Sequence, residues 1–209
     1  MTSSLAGTLF VVATPIGNLE DITLRAIKVL KSVQLVAAED TRRTGILLRH
    51  FGINVSILSV HEHNEGARTQ KITARLAKGE SVALVTDAGT PGVSDPGSAL
   101  VAAVRAEGFR IEPIPGASAV ATAISVAGIN TDGFTFLGFP PVRGKDRRRW
   151  FESLIQRVPF ANIIYGSARQ LLDILLADVD MDTLVVDAGN RAGRQDLVGR
   201  EEETLANDH

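Results

Sequence analysis

Three short polar segments, each following an apolar run, carry the side chains best suited to chemistry in this sequence. The segments are Pro15-Ile16-Gly17-Asn18, Glu39-Asp40-Thr41-Arg42 and Asp87-Ala88-Gly89-Thr90-Pro91. Carboxylates accept hydrogen bonds from ribose hydroxyls and amino groups, and glycine lets the backbone approach a ligand closely. The three segments together are compatible with a site for a small adenosine-like ligand.

None of these segments carries a standard phosphate-binding motif. The Gly-x-Gly-x-x-Gly spacing of dinucleotide folds is absent, and so is the Gly-Lys-Ser/Thr of a P-loop. Turn geometry alone is the simpler alternative for a connection rich in Gly and Pro. Asp40 could likewise cap the helix that follows it, a role that is compatible with contacting a ligand.

The pattern around these segments predicts the scaffold that positions them. Five short apolar runs, at residues 8–13, 33–37, 55–60, 82–85 and 110–114, alternate with helical patterns. This alternation is typical of parallel βαβ units, so the fold class is α/β. Parallel strands share a direction, and we therefore expect the three segments to meet at one sheet edge, where open α/β sheets bind ligands.

Capping residues predict where three helices begin. Asp21 is expected to cap the first helix, Asn64 to cap the third, and Asp95, followed by Pro96, to cap the fourth. These positions precede the apolar periodicity that defines each helix.

The composition and hydrophobic pattern of the sequence change after residue 115. Aromatic alternation at 133–139, a basic helix start, strands at 161–165 and 183–187 and a helix around 171–175 follow. We therefore expect two domains, an N-terminal parallel α/β domain over 1–115 and a C-terminal α/β domain over 116–209, the latter shortened or divergent.

Composition excludes several classes of protein. The 209 residues include no cysteine, which excludes disulfides and thiolate metal sites and fits a cytosolic protein. There is no apolar run of about 18 residues and no signal-peptide pattern, so we expect no membrane association. His61-x-His63 lacks a third ligand, and we expect no metal.

Two basic groups are the candidates for contacting a phosphate backbone, although the net charge is only −2. Such groups are often simply solvated faces, but their position beside a predicted ligand edge favours RNA binding. The RNA-binding candidates are Arg42, Arg43, Arg143, Lys145, Arg147 and Arg148.

Taken together, four segments resemble bacterial small-subunit ribosomal RNA methyltransferases of the tetrapyrrole (corrin/porphyrin) methylase superfamily. They are TPIGNLEDIT at 14–23, AEDTR at 38–42, HFGIN at 50–54 and DAGTP at 87–91. The resemblance implies two α/β domains with the ligand cleft between them. It also implies S-adenosylmethionine-dependent 2′-O-methylation of a cytidine in the 16S rRNA decoding centre, by a cytoplasmic homodimer that acts on 16S rRNA or the small ribosomal subunit.

The resemblance also implies roles for individual residues. Asp40 or Glu39 is the candidate to orient or deprotonate the 2′-hydroxyl, and Asn18 could fix the ribose. The residues matched to the donor site are Pro15, Ile16, Gly17, Asp87, Ala88, Gly89, Thr90, Pro91, Pro115, Gly116, Ala117 and Ser118.

The second half departs from the family pattern. Tyr165-Gly166-Ser167-Ala168-Arg169 stands where the family carries Glu and His, and no counterpart of the usual terminal strand is found. Two alternatives therefore stay open. One is a tetrapyrrole-type small-molecule methylase, and the other is a degenerate protein that binds donor or RNA without turnover.

Overall fold

The structure is a computed structural model that describes residues 6–61, 64–128, 133–141, 144–155, 161–166, 183–187 and 197–198. Its contacts divide the chain into two compact units, Met1–Ser118 and Ala119–His209. Within the described residues, one sheet has five strands and the other has four. The assignment of domains to 1–115 and 116–209 stays a prediction.

The first unit is a parallel sheet with helices on both faces, as the alternating pattern predicts. Its strand order is β3-β2-β4-β1-β5, and all four pairings are parallel. The strands are β1 (Thr8–Val12), β2 (Leu35–Ala38), β3 (Ile57–Ser59), β4 (Val82–Val85) and β5 (Arg110–Ile114), and the helices are α1 (Leu24–Ser32), α2 (Thr41–His50), α3 (Glu65–Ala77) and α4 (Ser98–Ala106).

The central strands β2 and β4 are buried on both faces, which is why they are continuous apolar runs. Successive strand residues point to opposite faces. Val36 and Val85 pack in the cluster formed with α1 and α2, whereas Leu35 and Leu84 pack in the cluster formed with α3 and α4. The helices that follow β1 and β2 therefore lie on one face, and the helix that follows β4 lies on the other.

Two predicted helix caps are wrong because other groups occupy those roles. Asp21 lies in a short 3₁₀ turn (Leu19–Asp21), and Thr23 caps α1 by accepting from the Ala26 N–H. Helix α4 begins only at Ser98, after Gly97 at φ 120°, so Asp95 is not its cap. A carboxylate from α3 supplies the acceptor instead, since Glu65 Oε1 receives the Leu100 N–H at 2.9 Å.

The predicted cap at Asn64 is correct in position and wrong in mechanism. Asn64 precedes α3, but its side chain makes no capping hydrogen bond to that helix. Its Oδ1 accepts from the backbone N–H of His61 at 3.0 Å, and its Nδ2 lies 2.8 Å from His61 Nε2. The Asn64 side chain therefore makes its hydrogen bonds within the polar loop rather than to the first turn of α3.

The second unit contains a smaller sheet of order β6-β7-β8-β9, in which β9 runs antiparallel to β8. Strand β9 is not among the strands predicted from the sequence, and the predicted helix around 171–175 lies outside the described residues. Among the described residues, no helix is long and apolar enough to cross a membrane. The elements are α5 (Ala119–Val126), β6 (Phe134–Phe136), α6 (Gly144–Ile155), β7 (Ala161–Gly166), β8 (Thr183–Asp187) and β9 (Leu197–Val198).

Helix α1 offers a matched pair of leucines that tests the core. Leu30 is fully buried in the cluster beneath α1 and α2, whereas Leu24 is 78% exposed. Leu30→Ala should lower the free energy of unfolding by about 3 kcal/mol through lost burial and the cavity left behind. Leu24→Ala should change it by less than about 0.5 kcal/mol. Urea titration followed by circular dichroism measures both, and equal losses would contradict the assigned faces.

Candidate functional site

Loops that follow four neighbouring strands meet at the carboxyl edge of the five-stranded sheet. The strand order places β2, β4, β1 and β5 side by side, and all of them point the same way. The loop after β4 leaves toward the face opposite to the loops after β1 and β2. Where neighbouring loops leave toward opposite faces of the sheet, a crevice opens at the strand ends, and α/β sheets bind ligands in such crevices.

The loop after β4 is tied to the loop after β1 by backbone pairing. Thr14 N–H donates to Gly89 O at 2.9 Å, and Gly89 N–H donates back to Thr14 O at 3.1 Å. The buried Thr14 hydroxyl adds a bond to Thr86 O at 3.0 Å. Gly89 has φ 87°, a conformation that favours glycine, so the pairing depends on that residue type.

The same loop is tied on its other side to the loop after β2, through side chains. Thr86 Oγ1 donates to Glu39 Oε2 at 2.7 Å, and Asp87 N–H donates to the same oxygen at 3.4 Å. In return, Asp40 N–H donates to Asp87 Oδ1 at 3.1 Å. Each loop therefore provides a carboxylate that holds the other loop's backbone. We call this reciprocal arrangement the carboxylate clasp.

The turn after β5 packs against the end of β1. A Cβ placed on Gly116 would lie 3.0 Å from the Ala13 Cβ, so a side chain there would require one of the two segments to shift. The match of Pro115, Gly116, Ala117 and Ser118 to the donor site is a prediction, and the structure places all four residues at the same sheet edge.

The predicted donor residues of the first and fourth strand loops differ in exposure. Pro15, Gly89 and Pro91 are buried, Ile16 and Thr90 are half-buried, and Gly17 and Ala88 are exposed. Asn18 is exposed and caps the 3₁₀ turn, where its Oδ1 accepts from Glu20 N–H at 3.1 Å. The exposed members, and the half-buried ones such as Asp87, retain surface that a ligand can contact.

Burial and neighbouring carboxylates raise the pKa of two acidic groups at this edge. Burial raises the pKa of Asp95 to about 6, with a further contribution from the charge of Glu39, and a hydrogen bond with Thr86 opposes the rise. Burial and the charge of Glu39 also raise the pKa of Asp87. The contribution of Glu39 to both shifts shows that acidic groups lie close together at this edge, an arrangement that favours a cationic ligand group.

Asp40 has the opposite environment. Hydrogen bonds from the Arg42 side chain and backbone hold the pKa of Asp40 down at about 2. Its side chain accepts from the Arg42 N–H and thereby caps α2, as the sequence predicts. Arg42 Nη2 also lies 2.9 Å from Asp40 Oδ2, and the arginine side chain is 88% exposed.

The basic candidates are distributed over two helices, one in each unit. Arg42 and Arg43 lie in the first turn of α2, and Arg43 Nε approaches Asp87 Oδ2 at 3.4 Å. Lys145, Arg147 and Arg148 lie on α6 in the second unit, where Arg147 Nη1 donates to Pro141 O at 3.3 Å. Arg143 lies outside the described residues, as does His63 of the predicted histidine pair.

Thr86 and Asp95 belong to the site although neither is among the site residues predicted from the sequence. Thr86 is buried at the end of β4 and links Glu39 to the loop, and Asp95 is half-buried beside it. The sequence does contain a signal for Thr86. A threonine directly after a buried strand indicates a buried hydroxyl, and a buried hydroxyl needs a hydrogen-bond partner. For Asp95, the helix-capping rule predicted a local role, and this prediction hid the contacts that Asp95 makes in the folded protein.

Comparison with known proteins identifies the family. The profile described as Tetrapyrrole (Corrin/Porphyrin) Methylases matches residues 8–205. The chain belongs to the tetrapyrrole methylase family. Within this family, it is 48% identical over 169 residues to a "Ribosomal RNA small subunit methyltransferase I" of Escherichia coli O157:H7, covering 81% of this chain and 59% of the relative. The protein of the same name from Pseudomonas aeruginosa is 49% identical over 170 residues, covering 81% and 60%.

The chain spans about three fifths of the length of the curated relatives it matches. Solved structures of tetrapyrrole methylase type share its fold. A cobalamin synthesis related protein from Corynebacterium diphtheriae has a TM-score of 0.52 at 18% identity, covering 90% of this chain and 74% of that one. Cobalt precorrin-4 methyltransferase has a TM-score of 0.51 at 20% identity, covering 66% and 59%.

The raised pKa of Asp95 predicts a pH-dependent stability. The folded protein holds this proton more tightly than the unfolded chain does, whose carboxyl has the ordinary value of 3.8. The contribution of Asp95 is therefore fully present below pH 3.8 and is lost as pH rises through about 6. Asp95→Asn should be more stable than the parent at pH 7.5, by about 1 kcal/mol after allowance for solvent screening.

Urea unfolding at pH 4 and pH 7.5 checks this expectation. The advantage of Asp95→Asn should shrink toward the acid condition, because the parent is then protonated as well. Exposed Asp21 provides the control, since Asp21→Asn removes one negative charge from an exposed rather than a half-buried carboxylate. An Asp95→Asn variant that is less stable than the parent at both pH values would show that the ionised carboxylate is required.

Proposed function

We propose that this chain binds S-adenosylmethionine at the carboxyl edge of its five-stranded sheet and serves a methyltransferase that acts on ribosomal RNA. The observation that carries the proposal is the 44–49% identity to relatives named ribosomal RNA small subunit methyltransferase I. The proposed reaction is methylation of a cytidine 2′-hydroxyl in 16S rRNA, in the cytoplasm, by a homodimer.

The residues at the edge suit this donor chemically. S-adenosylmethionine carries a sulfonium cation, ribose hydroxyls and amino groups, and each of these favours nearby carboxylate or carbonyl oxygens. Glu39, Asp87 and Asp95 supply negative potential. Exposed Gly92, at φ 81°, has open space where a Cβ would lie, so backbone can approach a ligand there. When bound, the donor supplies an electrophilic methyl group.

The contribution of this chain is mainly positioning. A 2′-hydroxyl is a weak nucleophile at neutral pH, so its alignment and the handling of its proton decide the rate. Asp40 is ionised at neutral pH, and its low pKa suits it to orient a hydroxyl by accepting a hydrogen bond rather than to retain a proton. We assign that role to Asp40, and Asn18 is assigned to hold the ribose.

The exposed face of α2 is proposed to contact RNA phosphates. Arg42 and Arg49 are exposed on this helix, and Ile46 lies exposed between them. Positions i, i+4 and i+7 share one helical face. The ion pair of Arg42 with Asp40 is exposed, so it is weak enough for a phosphate to displace.

The experiment has two stages, donor binding and methyl transfer. Calorimetric titration with S-adenosylmethionine should give saturable binding. Incubation with methyl-labelled donor and small ribosomal subunits should then place the label on a cytidine ribose, as located by mass spectrometry. Binding without transfer would favour the non-catalytic alternative, and transfer to a tetrapyrrole instead of RNA would favour the small-molecule alternative.

The Asp40→Asn variant distinguishes a role in orienting the 2′-hydroxyl from a role in binding the methyl donor, in the same assay. Asparagine is also a good N-cap, so α2 should persist. Turnover should fall by roughly 10- to 100-fold through lost orientation, while the donor dissociation constant stays unchanged. Unchanged turnover would remove Asp40 from the mechanism.

The salt dependence of RNA affinity tests the α2 face. If Arg42 and Arg49 each neutralise a phosphate, replacing both with Gln should weaken RNA binding. It should also reduce the slope of log affinity against log salt by about 1.5. Arg105→Gln is the control, because Arg105 is exposed on α4, which packs on the opposite face of the sheet. Equal slopes for the double variant and the control would exclude this face.

A further inference from the structure

We infer that Glu39 is a positioning residue whose carboxylate holds the Thr86–Asp87 turn at the sheet edge, and that the turn so held is what the methyl donor meets. The contact between the turn and the methyl donor rests on the proposed function. The role of Glu39 in holding the turn concerns only this chain and can be tested without a ligand.

The position of Glu39 in the sheet is the first support. Ala38 is the last residue of β2 and pairs in register with Val85, the last residue of β4. The next residues along the two strands are Glu39 and Thr86, so they face each other where regular pairing ends. A side chain there can continue the connection between the loops that the backbone no longer makes.

The contacts of Glu39 are the second support. One oxygen, Oε2, accepts from both the Thr86 hydroxyl at 2.7 Å and the Asp87 N–H at 3.4 Å. Thr86 is only 2% exposed. Thr86 also bonds the Asp95 carboxylate, but Glu39 is the acceptor that joins its hydroxyl to the Asp87 N–H, so the conformation of the turn depends on Glu39.

The electrostatic arrangement is the third support. Two further carboxylates, Asp87 and Asp95, lie near Glu39; burial is the main cause of their raised pKa, and the charge of Glu39 raises both pKa values further. Arg43 offsets part of this repulsion from 3.4 Å. Folding alone would not favour three acidic groups around one turn, whereas precise placement of that turn for a cationic ligand does favour them.

The amide variant distinguishes positioning from proton transfer. Glu39→Gln keeps an acceptor oxygen of the same reach but has no basic carboxylate, whereas Glu39→Ala loses both. A general base would be disabled equally by either change. A positioning residue would be rescued by Gln.

Two readouts test the inference in the full chain. Hydrogen–deuterium exchange of the Asp87 amide reports the clasp directly, and calorimetry with S-adenosylmethionine reports the donor site. Glu39→Ala should accelerate exchange at Asp87 and weaken donor binding by about 10- to 100-fold each, as expected for losing hydrogen bonds to a charged acceptor. Glu39→Gln should keep exchange at Asp87 within about 3-fold of the parent, and it should retain more donor affinity than Glu39→Ala, because it keeps the acceptor oxygen and loses only the charge.

Glu65 provides a matched control. Its carboxylate also accepts a backbone N–H from a distant segment, that of Leu100 at 2.9 Å. Glu65→Ala removes a comparable bond from the same unit, but it should leave exchange at Asp87 and donor affinity unchanged. Thr86→Val provides a second variant that removes the 2.7 Å bond from the other side. It should reproduce the effects of Glu39→Ala in chains shown to be folded by circular dichroism.

Each outcome bears on the inference. Parent-like exchange and donor affinity in Glu39→Ala would overturn it. Donor affinity lost as deeply in Glu39→Gln as in Glu39→Ala, with the Asp87 amide still protected, would also overturn it in favour of a role for the charge. A parent chain that binds no donor would contradict the proposed function, while the exchange measurements would still decide whether Glu39 holds the turn.

Discussion

The attachment of the loop after β4 to both of its neighbours is the constraint on which the rest of the site depends. Strand β4 is central, so its loop emerges between the loops of β1 and β2. On one side it is held by paired backbone groups at Thr14 and Gly89, and on the other side by the clasp at Glu39 and Asp87. Backbone pairing is stiff and nearly independent of pH, whereas carboxylate acceptors depend on charge. The two sides of one loop are thus fixed by different chemistry.

The acidic groups of this edge illustrate how environment separates similar side chains. Asp40 and Asp95 are both carboxylates near the clasp, yet their pKa values lie on opposite sides of the ordinary value, at about 2 and about 6. Both residues are half-buried, but Asp40 is bonded to a guanidinium, whereas Asp95 lies near other acidic groups. Groups with separated pKa values in one site are a common basis for dividing roles in catalysis.

Much of the fold was predictable because it follows from local pattern. Alternation of short apolar runs with helical periodicity predicts the parallel sheet, and the shared direction of its strands predicts that the loops meet at one edge. The side-chain bonds between those loops were not predictable, since Glu39 and Thr86 are 47 residues apart and no spacing rule links them. Asp95 shows the same limit. Its local sequence is typical of a helix cap, but a carboxylate 35 residues before Leu100 takes that role.

The strand order also has a consequence for how the molecule assembles. Strands β1 and β2 flank β4, although both precede it in the chain. Until β4 arrives, β1 and β2 have no partner between them, and closing that gap brings together segments more than 40 residues apart, at the entropic cost of a long loop. Such non-local pairing is slow compared with helix formation. The insertion of β4 therefore joins β1 to β2 and brings its loop against both neighbours, so that this part of the edge acquires its shape only when these non-local pairings form.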